Sequence, residues 1–308
     1  MTAPPPRTDT TQGLILTLYG DYLLDREAPV WAGSLVSLLG PLGVSPAAAR
    51  VGLWRMVRKG WLAVERRGPR TDHVLTARGR QLLEEGSRRI YRPPREDRWS
   101  GEWFLVAYSI PENRRRLRDR LRIRLQWLGC GMLGNGLWLS PRDIHAEIAE
   151  LAARTRLGRH LQIFRAEHLG PGNPADLVAQ AWDLRTVNDE YAAFLARWRP
   201  FQDPCRACAA VCTAPDKPGR RPPAECLPPE SCFVRRFRIV HEFRAFPLID
   251  PFLPAELLPR GWKGHEAAEL FRQYHDVLAE PARRWVDEIV RAGHSRESDA
   301  GAERIRIA

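Results

Sequence analysis

Residues 44–60 have the sequence VSPAAARVGLWRMVRKG, which predicts a helix with a well-defined start and end. The Ser45 side chain can accept a hydrogen bond from a backbone N–H of the first turn that has no partner within the helix. Proline at position 46 fits the first helical position, where it has no N–H to lose. Glycine at position 60 ends the pattern, so the predicted helix covers about four turns.

The two faces of this helix differ in composition. Ala49, Leu53 and Met56 fall within one arc and are expected to face a core. The opposite arc mixes small, β-branched and basic side chains, which suits the major groove of DNA, where arginine reaches guanine and apolar groups touch thymine methyls. The helix residues expected to contact DNA are Ser45, Ala47, Ala48, Arg50, Val51, Arg55, Arg58 and Lys59, the last two at phosphates.

A basic hairpin is predicted to follow the helix. The turn at 66–70, RRGPR, separates two short β-forming runs at 61–64 and 73–75. Its arginines would lie along the DNA backbone or in the minor groove. These arginines are Arg66, Arg67 and Arg70. Two amphipathic segments precede the quoted stretch and a helix capped by Thr76 follows the hairpin, so the sequence predicts a winged helix-turn-helix domain over residues 12–92.

The positive charge of the chain is concentrated in two segments. The 308 residues carry a formal net charge of +11. Residues 45–70 contain seven basic residues and one acid, and residues 111–128 contain seven arginines and two acids. Such concentration indicates a polyanionic partner, because binding to one releases counterions. The second segment has two open interpretations: a solvated helix on a sheet, or a surface that touches flanking DNA or a partner subunit.

The remainder of the chain predicts an α+β protein with two further domains. Residues 100–170 alternate β, α, β, α, β, which indicates a ferredoxin-like sheet with helices on one face. Residues 175–290 are mostly helical by their apolar spacing, with one long amphipathic helix over residues 177–198. The polar ends, 1–11 and 291–308, are expected to be disordered. No apolar run approaches the length of a membrane span, and no signal peptide is evident, so we expect a cytoplasmic protein with no membrane partner.

A Cys- and Pro-rich insertion over residues 203–231 interrupts the helical segment. Thiolates at its spacing can complete a zinc site or hold an iron–sulfur cluster, and the alternative is an insertion without metal. The five candidate ligands are Cys205, Cys208, Cys212, Cys226 and Cys232. No other cofactor is expected, because the sequence has no phosphate-binding loop, nucleophile elbow or metalloprotease helix, and we expect no enzyme activity.

A set of segments in a fixed order gives the chain a family resemblance. These segments are LTLYGDYLL at 16–24, ARVGLWRMVRKGWL at 49–62, GNGLWLSP at 134–141, AWDL at 181–184 and HEFRAFPLIDPFLPAELLP at 241–259. Together they resemble the PaaX family of transcriptional regulators over nearly the whole chain. The resemblance implies a homodimeric repressor of aromatic-acid catabolism genes, of the phenylacetate type. It also implies release from operator DNA by an aryl-CoA effector, and a Cas2-like middle domain.

An aryl-CoA effector would need an apolar slot for its ring and cations for its phosphates. Candidates in the C-terminal segment, which the resemblance makes the effector and dimerisation domain, are Trp182, Tyr191, His241, Arg244 and Trp262. Aromatic residues at helical spacing more often belong to a core than to a ligand site, so these five are candidates only. The effector would have to favour a dimer geometry in which the two recognition helices no longer match the operator spacing.

Two other functions remain as alternatives. Cas2-type nucleases end their first strand with a metal-binding aspartate, but Ser109 stands at the corresponding position here. A neutral hydroxyl is a poor lone ligand for Mg²⁺, so a metal-dependent nuclease is the weaker alternative. The stronger one is a non-specific nucleic-acid-binding protein, which would show a specificity ratio near one.

Overall fold

A computed structural model describes residues 10–68, 70–91, 98–155, 157–201 and 227–305, with side chains up to residue 293. The chain forms two compact units. The first unit comprises residues 1–92, 194–245 and 266–308, and the second comprises residues 93–193 and 246–265. The predicted domain boundaries stay a prediction. The structure adds that the N-terminal segment and much of the C-terminal segment belong to one unit.

The described part of the chain contains both helices and strands in each unit. The helices are α1 Thr11–Leu18, α2 Ala32–Leu39, α3 Pro46–Arg58, α4 Ala77–Tyr91, α5 Arg115–Trp127, α6 His145–Thr155, α7 Pro174–Ala181, α8 Leu184–Trp198, α9 Pro229–Phe243, α10 Phe246–Ile249, α11 Gly264–Val277 and α12 Ala279–Ile305. The strands are β1 Val30–Trp31, β2 Leu62–Arg67, β3 Arg70–Leu75, β4 Trp103–Tyr108, β5 Gly131–Gly134, β6 Leu137–Ser140 and β7 Leu161–Ala166.

The first unit begins with three helices and a hairpin in the predicted order. α1 continues as a π-helical turn, Tyr19–Leu23, and Trp31 lies in β1, directly before α2. β2 and β3 pair in an antiparallel hairpin, and β1 adds to the other side of β3. Thr76 accepts a hydrogen bond from the Gly79 N–H at 3.0 Å and so caps α4 as predicted.

Helices from the C-terminal part of the chain complete the core of the first unit. Phe233 and Phe237 on α9, and Ala282 on α12, are buried in the same cluster as Ile15 on α1 and Leu53 on α3. Burial of apolar surface is the main favourable term in folding. The apolar faces of the three N-terminal helices are therefore covered by segments that lie about two hundred residues further along the chain.

The second unit contains a four-stranded antiparallel sheet with the order β5-β6-β4-β7. One face packs on α5 and α6 through Val106, Trp138 and Ile148. The other face contributes Trp103 and Leu139 to a cluster with α7. The connectivity βαββαβ with this strand order is that of a ferredoxin-like sheet, so the α+β class predicted from the sequence is confirmed.

Three local predictions differ from the structure. The helix expected over residues 177–198 is two helices, because Trp182 is extended and Asp183 accepts from the Thr186 N–H at 3.1 Å to begin α8. The helix α12 runs to Ile305, although the sequence predicts disorder from residue 291. Residues 229–231 of the predicted insertion belong to α9. Within the ranges given above, no helix combines the length and apolar character needed to cross a bilayer.

Candidate nucleic-acid interface

The start of α3 is fixed by its own sequence and by close packing on α1. The Ser45 hydroxyl accepts a hydrogen bond from the Ala48 N–H at 3.3 Å, as the sequence predicts. A Cβ atom at Gly52 would lie 2.7 Å from Ile15 Cδ1 and 2.8 Å from Thr11 Cγ2. Glycine at position 52 therefore lets α3 approach α1 closely, which sets the orientation of α3 within the first unit.

The outward face of α3 is exposed, and it carries most of the predicted contact residues. Leu53 and Met56 are 2% and 1% exposed, whereas Val51 and Trp54 are 47% and 56% exposed. The exposed predicted residues on this face are Ala47, Arg50, Val51, Arg55 and Arg58. The helix thus presents a mixed apolar and cationic surface, and the described residues of the first unit do not cover it.

Trp54 is a surface residue that the predicted contact set omitted. Its ring is the most exposed large apolar group on α3, and the Arg58 guanidinium lies 5.0 Å from the ring centre. A cation–π contact of this kind keeps both side chains on the outward face. The sequence does indicate that Trp54 is exposed, because it lies opposite the core positions, in an arc whose other residues are mostly small or basic.

Two predicted contact residues on α3 have partners within the chain. Ala48 is half-buried and packs against the core of the first unit. The Lys59 ammonium donates to Gln12 Oε1 at 2.7 Å and lies 4.7 Å from the Trp61 ring centre. Lys59 thus connects the end of α3 to α1, a contact that the local sequence could not indicate.

The hairpin places its three arginines differently. Arg66 and Arg67 are exposed. Arg67 Nη2 lies 3.7 Å from Glu65 Oε2, and Arg67 Nε lies 3.8 Å from Asp72 Oδ2. The sequence predicts Arg70 at the exposed tip of the hairpin, but in the structure Arg70 is half-buried at the start of β3. Its guanidinium lies 4.5 Å from the Trp31 ring centre and donates to the Gly293 carbonyl at 2.5 Å. Arg70 thus holds β3 against β1 and α12.

Histidine adds no positive charge to this hairpin at neutral pH. His73 on β3 is 6% exposed. Burial lowers the pKa of His73 below its usual 6.5, and the opposing effect of Asp72 does not restore it. The cationic character of the hairpin at neutral pH therefore comes from its arginines.

The second basic segment forms α5 on the outer side of the sheet in the second unit. Leu121 and Leu125 are buried beneath it, as its apolar spacing predicts. Arg115, Arg116 and Arg120 are exposed, and Arg118 pairs with Glu112 at 2.7 Å. The helix also exposes 66% of Ile123. Both interpretations of this surface, a solvated helix or a contact with DNA or a partner subunit, are compatible with this arrangement.

The five effector candidates are divided between the two units. Those in the second unit are Trp182, Tyr191 and Trp262, and those in the first unit are His241 and Arg244. The Tyr191 ring is buried and stacks on Phe246 at 4.0 Å between centres. Its hydroxyl donates to Asp250 at 2.7 Å, so Tyr191 is a core residue. Trp182 donates through Nε1 to the Gly129 carbonyl at 3.1 Å.

His241 and Arg244 connect α9 to α1. His241 Nδ1 lies 2.8 Å from the Thr17 hydroxyl. The Arg244 guanidinium donates to the same hydroxyl at 2.7 Å and to the Gly13 carbonyl at 2.9 Å. Both residues therefore hold α9 against α1, and their contact with an effector stays a prediction.

The metal prediction lies mostly outside the part of the chain that the structure describes. Cys205, Cys208, Cys212 and Cys226 belong to residues that are not described, and Cys232 is buried on α9 with its Sγ 3.7 Å from the Leu227 carbonyl. Among the described residues, no three His, Cys, Asp or Glu side chains are grouped to hold a metal ion. Zinc or iron–sulfur binding by this insertion stays a prediction.

Three family models match the chain in order along its length. They are described as PaaX-like protein over residues 10–79, PaaX protein central Cas2-like domain over residues 96–178, and PaaX-like protein C-terminal domain over residues 182–288. A relative from Escherichia coli (strain K12), Transcriptional repressor PaaX, is 31% identical over 278 residues, which are 89% of this chain and 82% of the relative. The chain belongs to the PaaX family.

A solved structure shows the same fold over nearly all of the chain. An uncharacterized protein from Mycobacterium tuberculosis superposes with a TM-score of 0.56 at 22% sequence identity, covering 91% of this chain and 99% of that chain. The model for the central Cas2-like domain of the PaaX family spans the four-stranded sheet of the second unit. Membership of the PaaX family thus accounts for both the order of the segments and the ferredoxin-like sheet.

Proposed function

We propose that this PaaX-family protein is a sequence-specific DNA-binding transcriptional repressor. The observation that carries the proposal is the outward face of α3, which holds Arg50, Val51, Trp54, Arg55 and Arg58 in exposed positions. The name of the Escherichia coli relative supports the repressor role. A regulator of this kind needs no catalytic group, so we propose no enzyme activity.

The N-terminal half of α3 would enter the major groove. Arg50 and Arg55 would read base edges, because an arginine can form two parallel bonds to guanine. Arg58 would contact a phosphate, and Arg66 and Arg67 on the hairpin would lie along the backbone or in the neighbouring minor groove. Phosphate contacts would supply affinity and base contacts would supply specificity.

The family resemblance extends the proposal to the regulated genes and the effector. It favours genes for the catabolism of aromatic acids of the phenylacetate type, and release of the operator by an aryl-CoA thioester. A homodimer would place two recognition helices on half-sites about one helical turn, or a multiple of it, apart. The dimer itself is part of the proposal.

The test is selection of bound sites from random double-stranded DNA, followed by titration of the selected site and of an unrelated duplex at several salt concentrations. We expect the selected site to bind at least about a thousandfold more tightly than the unrelated duplex. A ratio near one would favour the non-specific alternative, and metal-dependent cleavage of the duplex would favour the nuclease. Phenylacetyl-CoA should weaken operator binding, and the operator should weaken phenylacetyl-CoA binding by the same factor.

A further inference from the structure

Two large apolar side chains are exposed next to each other on α3. Val51 is 47% exposed and Trp54 is 56% exposed, although apolar side chains of this size are usually covered. Positions three apart on a helix are neighbours on one face, with Cβ atoms about 5–6 Å apart. The two side chains therefore form one exposed apolar surface, named here the Val51–Trp54 patch.

Arginines surround the Val51–Trp54 patch. Arg50 and Arg58 precede and follow Trp54 by one helical turn, and Arg55 is the next residue along the chain. All three arginines are exposed. The Arg58 guanidinium lies 5.0 Å from the Trp54 ring centre, so a cation–π contact holds the indole in place before any partner binds. The patch is thus a fixed apolar surface with a cationic border.

The cationic border decides which partner can cover the patch. The sequence of α3 contains no acidic residue. Two copies of the chain that met face to face through α3 would bring two sets of arginines together, and like charges that meet at an interface are strongly unfavourable. A DNA duplex offers phosphates to the arginines, and its major groove presents one apolar group, the C5-methyl of thymine, to the patch. The charge of α3 therefore favours DNA over a second copy.

The spacing of Val51 and Trp54 fits neighbouring base pairs. Three residues of α-helix advance about 4.5 Å along the helix axis, and successive base pairs are about 3.4 Å apart. An indole ring also offers more contact area than a single methyl group needs. The two side chains can therefore each lie against a thymine methyl in adjacent base pairs, while the surrounding arginines reach base edges and phosphates.

We infer that the Val51–Trp54 patch reads thymine, with each side chain packed on the C5-methyl group of a thymine in the major groove of the operator. The inference deepens the proposed function and rests on it. Trp54 is then a specificity-determining residue in addition to Arg50 and Arg55. The arginines distinguish bases by hydrogen bonds, whereas the patch distinguishes thymine by a methyl group that uracil lacks.

The test is a set of duplexes in which each thymine of the selected site is replaced, one at a time, by uracil. This change keeps the base pairing and removes only the methyl group. Anisotropy titrations with the full-length wild-type protein should show about fourfold weaker binding for each methyl that the patch covers. Trp54→Ala and Val51→Ala should weaken binding to the all-thymine site, and uracil at the corresponding position should then have little further effect. Such non-additivity is typical of a direct contact.

Leu82→Ala is the matched control. Leu82 on α4 is another exposed apolar residue of the first unit, with 41% of its side chain exposed. This variant should bind the selected site as the wild type does and should keep the full sensitivity to uracil. Thermal unfolding checks that each variant is folded, which we expect because all three side chains are on the surface.

The inference is overturned if no uracil substitution weakens binding of the wild-type protein, or if Trp54→Ala and Val51→Ala keep the uracil sensitivity of the wild type. It is also overturned if sedimentation of the DNA-free proteins gives Trp54→Ala a lower molar mass than the wild type, because the patch would then be a contact between subunits. Selection that recovers no preferred site would refute the proposed function, and the inference with it. A preferred site that binds equally well with thymine and with uracil refutes the inference alone.

Discussion

Arg236 on α9 and Asp21 in the π-helical turn after α1 form a buried ion pair, with side chains 0% and 4% exposed. The Tyr91 hydroxyl at the end of α4 donates to Asp21 at 2.8 Å, and Arg236 Nε donates to the His275 carbonyl at 3.0 Å. The π-helical turn, α4, α9 and α11 therefore meet at one polar cluster inside the first unit. A buried charge needs such complete pairing, because its desolvation is costly.

Replacing one member of this pair should destabilise the first unit strongly. Arg236→Met leaves the Asp21 carboxylate buried without its main counterion, and we expect it to lower the free energy of unfolding by about 3–5 kcal/mol. The measurement is chemical denaturation followed by far-ultraviolet circular dichroism. Arg284→Met, which breaks the exposed i,i+4 pair with Glu280, should cost less than about 1 kcal/mol. Similar costs for the two variants would contradict the assignment of Asp21 and Arg236 as a structural pair.

The same pair predicts how stability depends on pH. Burial alone would raise the pKa of Asp21, but its hydrogen bond with His275 and the positive charge of Arg236 outweigh burial and lower that pKa below the usual 3.8. A lowered pKa means that the stabilisation is complete above the unfolded-state value and is lost as pH falls through the folded-state value. The difference in unfolding free energy between wild type and Asp21→Asn should therefore be constant near neutral pH and shrink below about pH 4. A difference that stays constant under strongly acidic conditions would refute this.

Two glycines on α4 should respond oppositely to alanine. A Cβ atom at Gly79 would lie 2.0 Å from the Trp61 carbonyl oxygen, whereas a Cβ at Gly86 would meet no atom of the described residues within 4 Å. Gly79→Ala must displace the backbone of the hairpin and should lower the melting temperature by several degrees, corresponding to about 1–3 kcal/mol. Gly86→Ala should raise stability by about 0.5–1 kcal/mol, because alanine favours the helix. Equal effects at the two positions would show that α4 does not pack on Trp61.

Arginines of the proposed DNA surface should divide into two classes. Arg50→Ala and Arg55→Ala should each cost about 1–3 kcal/mol for the selected site and less for an unrelated duplex, if each contacts a base edge. Arg58→Ala and Arg66→Ala should weaken binding to both duplexes and reduce the salt dependence by about one counterion each. Fluorescence anisotropy titrations on both duplexes at several salt concentrations separate the classes. A loss of the same size on both duplexes for Arg50→Ala would remove it from base recognition.

Arg70 provides a further contrast with Arg66. The Arg70 guanidinium contacts the Trp31 ring and donates to the Gly293 carbonyl. Arg70→Ala should therefore lower the thermal stability of the first unit in addition to its affinity for DNA. Arg66 is exposed, so Arg66→Ala should leave the melting temperature unchanged within error. The pair is compared by differential scanning fluorimetry. Equal melting temperatures for the two variants would mean that the Arg70 contacts add nothing to stability.

Local patterns predicted the local structure well. The cap at Ser45, the buried face of α3, the basic hairpin and the alternation of strands and helices in the second unit all depend on neighbouring residues, and the structure contains each of them. The break between α7 and α8 was missed, because apolar spacing continues across Trp182, while two hydrogen bonds from Thr186 to Asp183 mark the new start. The spacing of apolar residues does not reveal such a capping interaction.

Long-range partners limited the prediction of the site. The inward position of Arg70 depends on Trp31 and Gly293, and the position of Lys59 depends on Gln12. The contacts of His241 and Arg244 with α1 could not be predicted, because their partner Thr17 is more than two hundred positions away in the sequence. The local composition of either segment does not distinguish a cationic side chain that pairs within the protein from one that binds an external anion.

The common core of α1, α3, α9 and α12 has a consequence for engineering this family. A fragment ending near residue 92 would leave uncovered the apolar surface that Phe233, Phe237 and Ala282 protect in the intact chain. Such a fragment should aggregate or stay partly unfolded, so the proposed DNA-binding segment is not an independently folding domain. A chimera that exchanges operator preference between relatives would need to transplant both ends of the polypeptide together, or else only the outward residues of one helix.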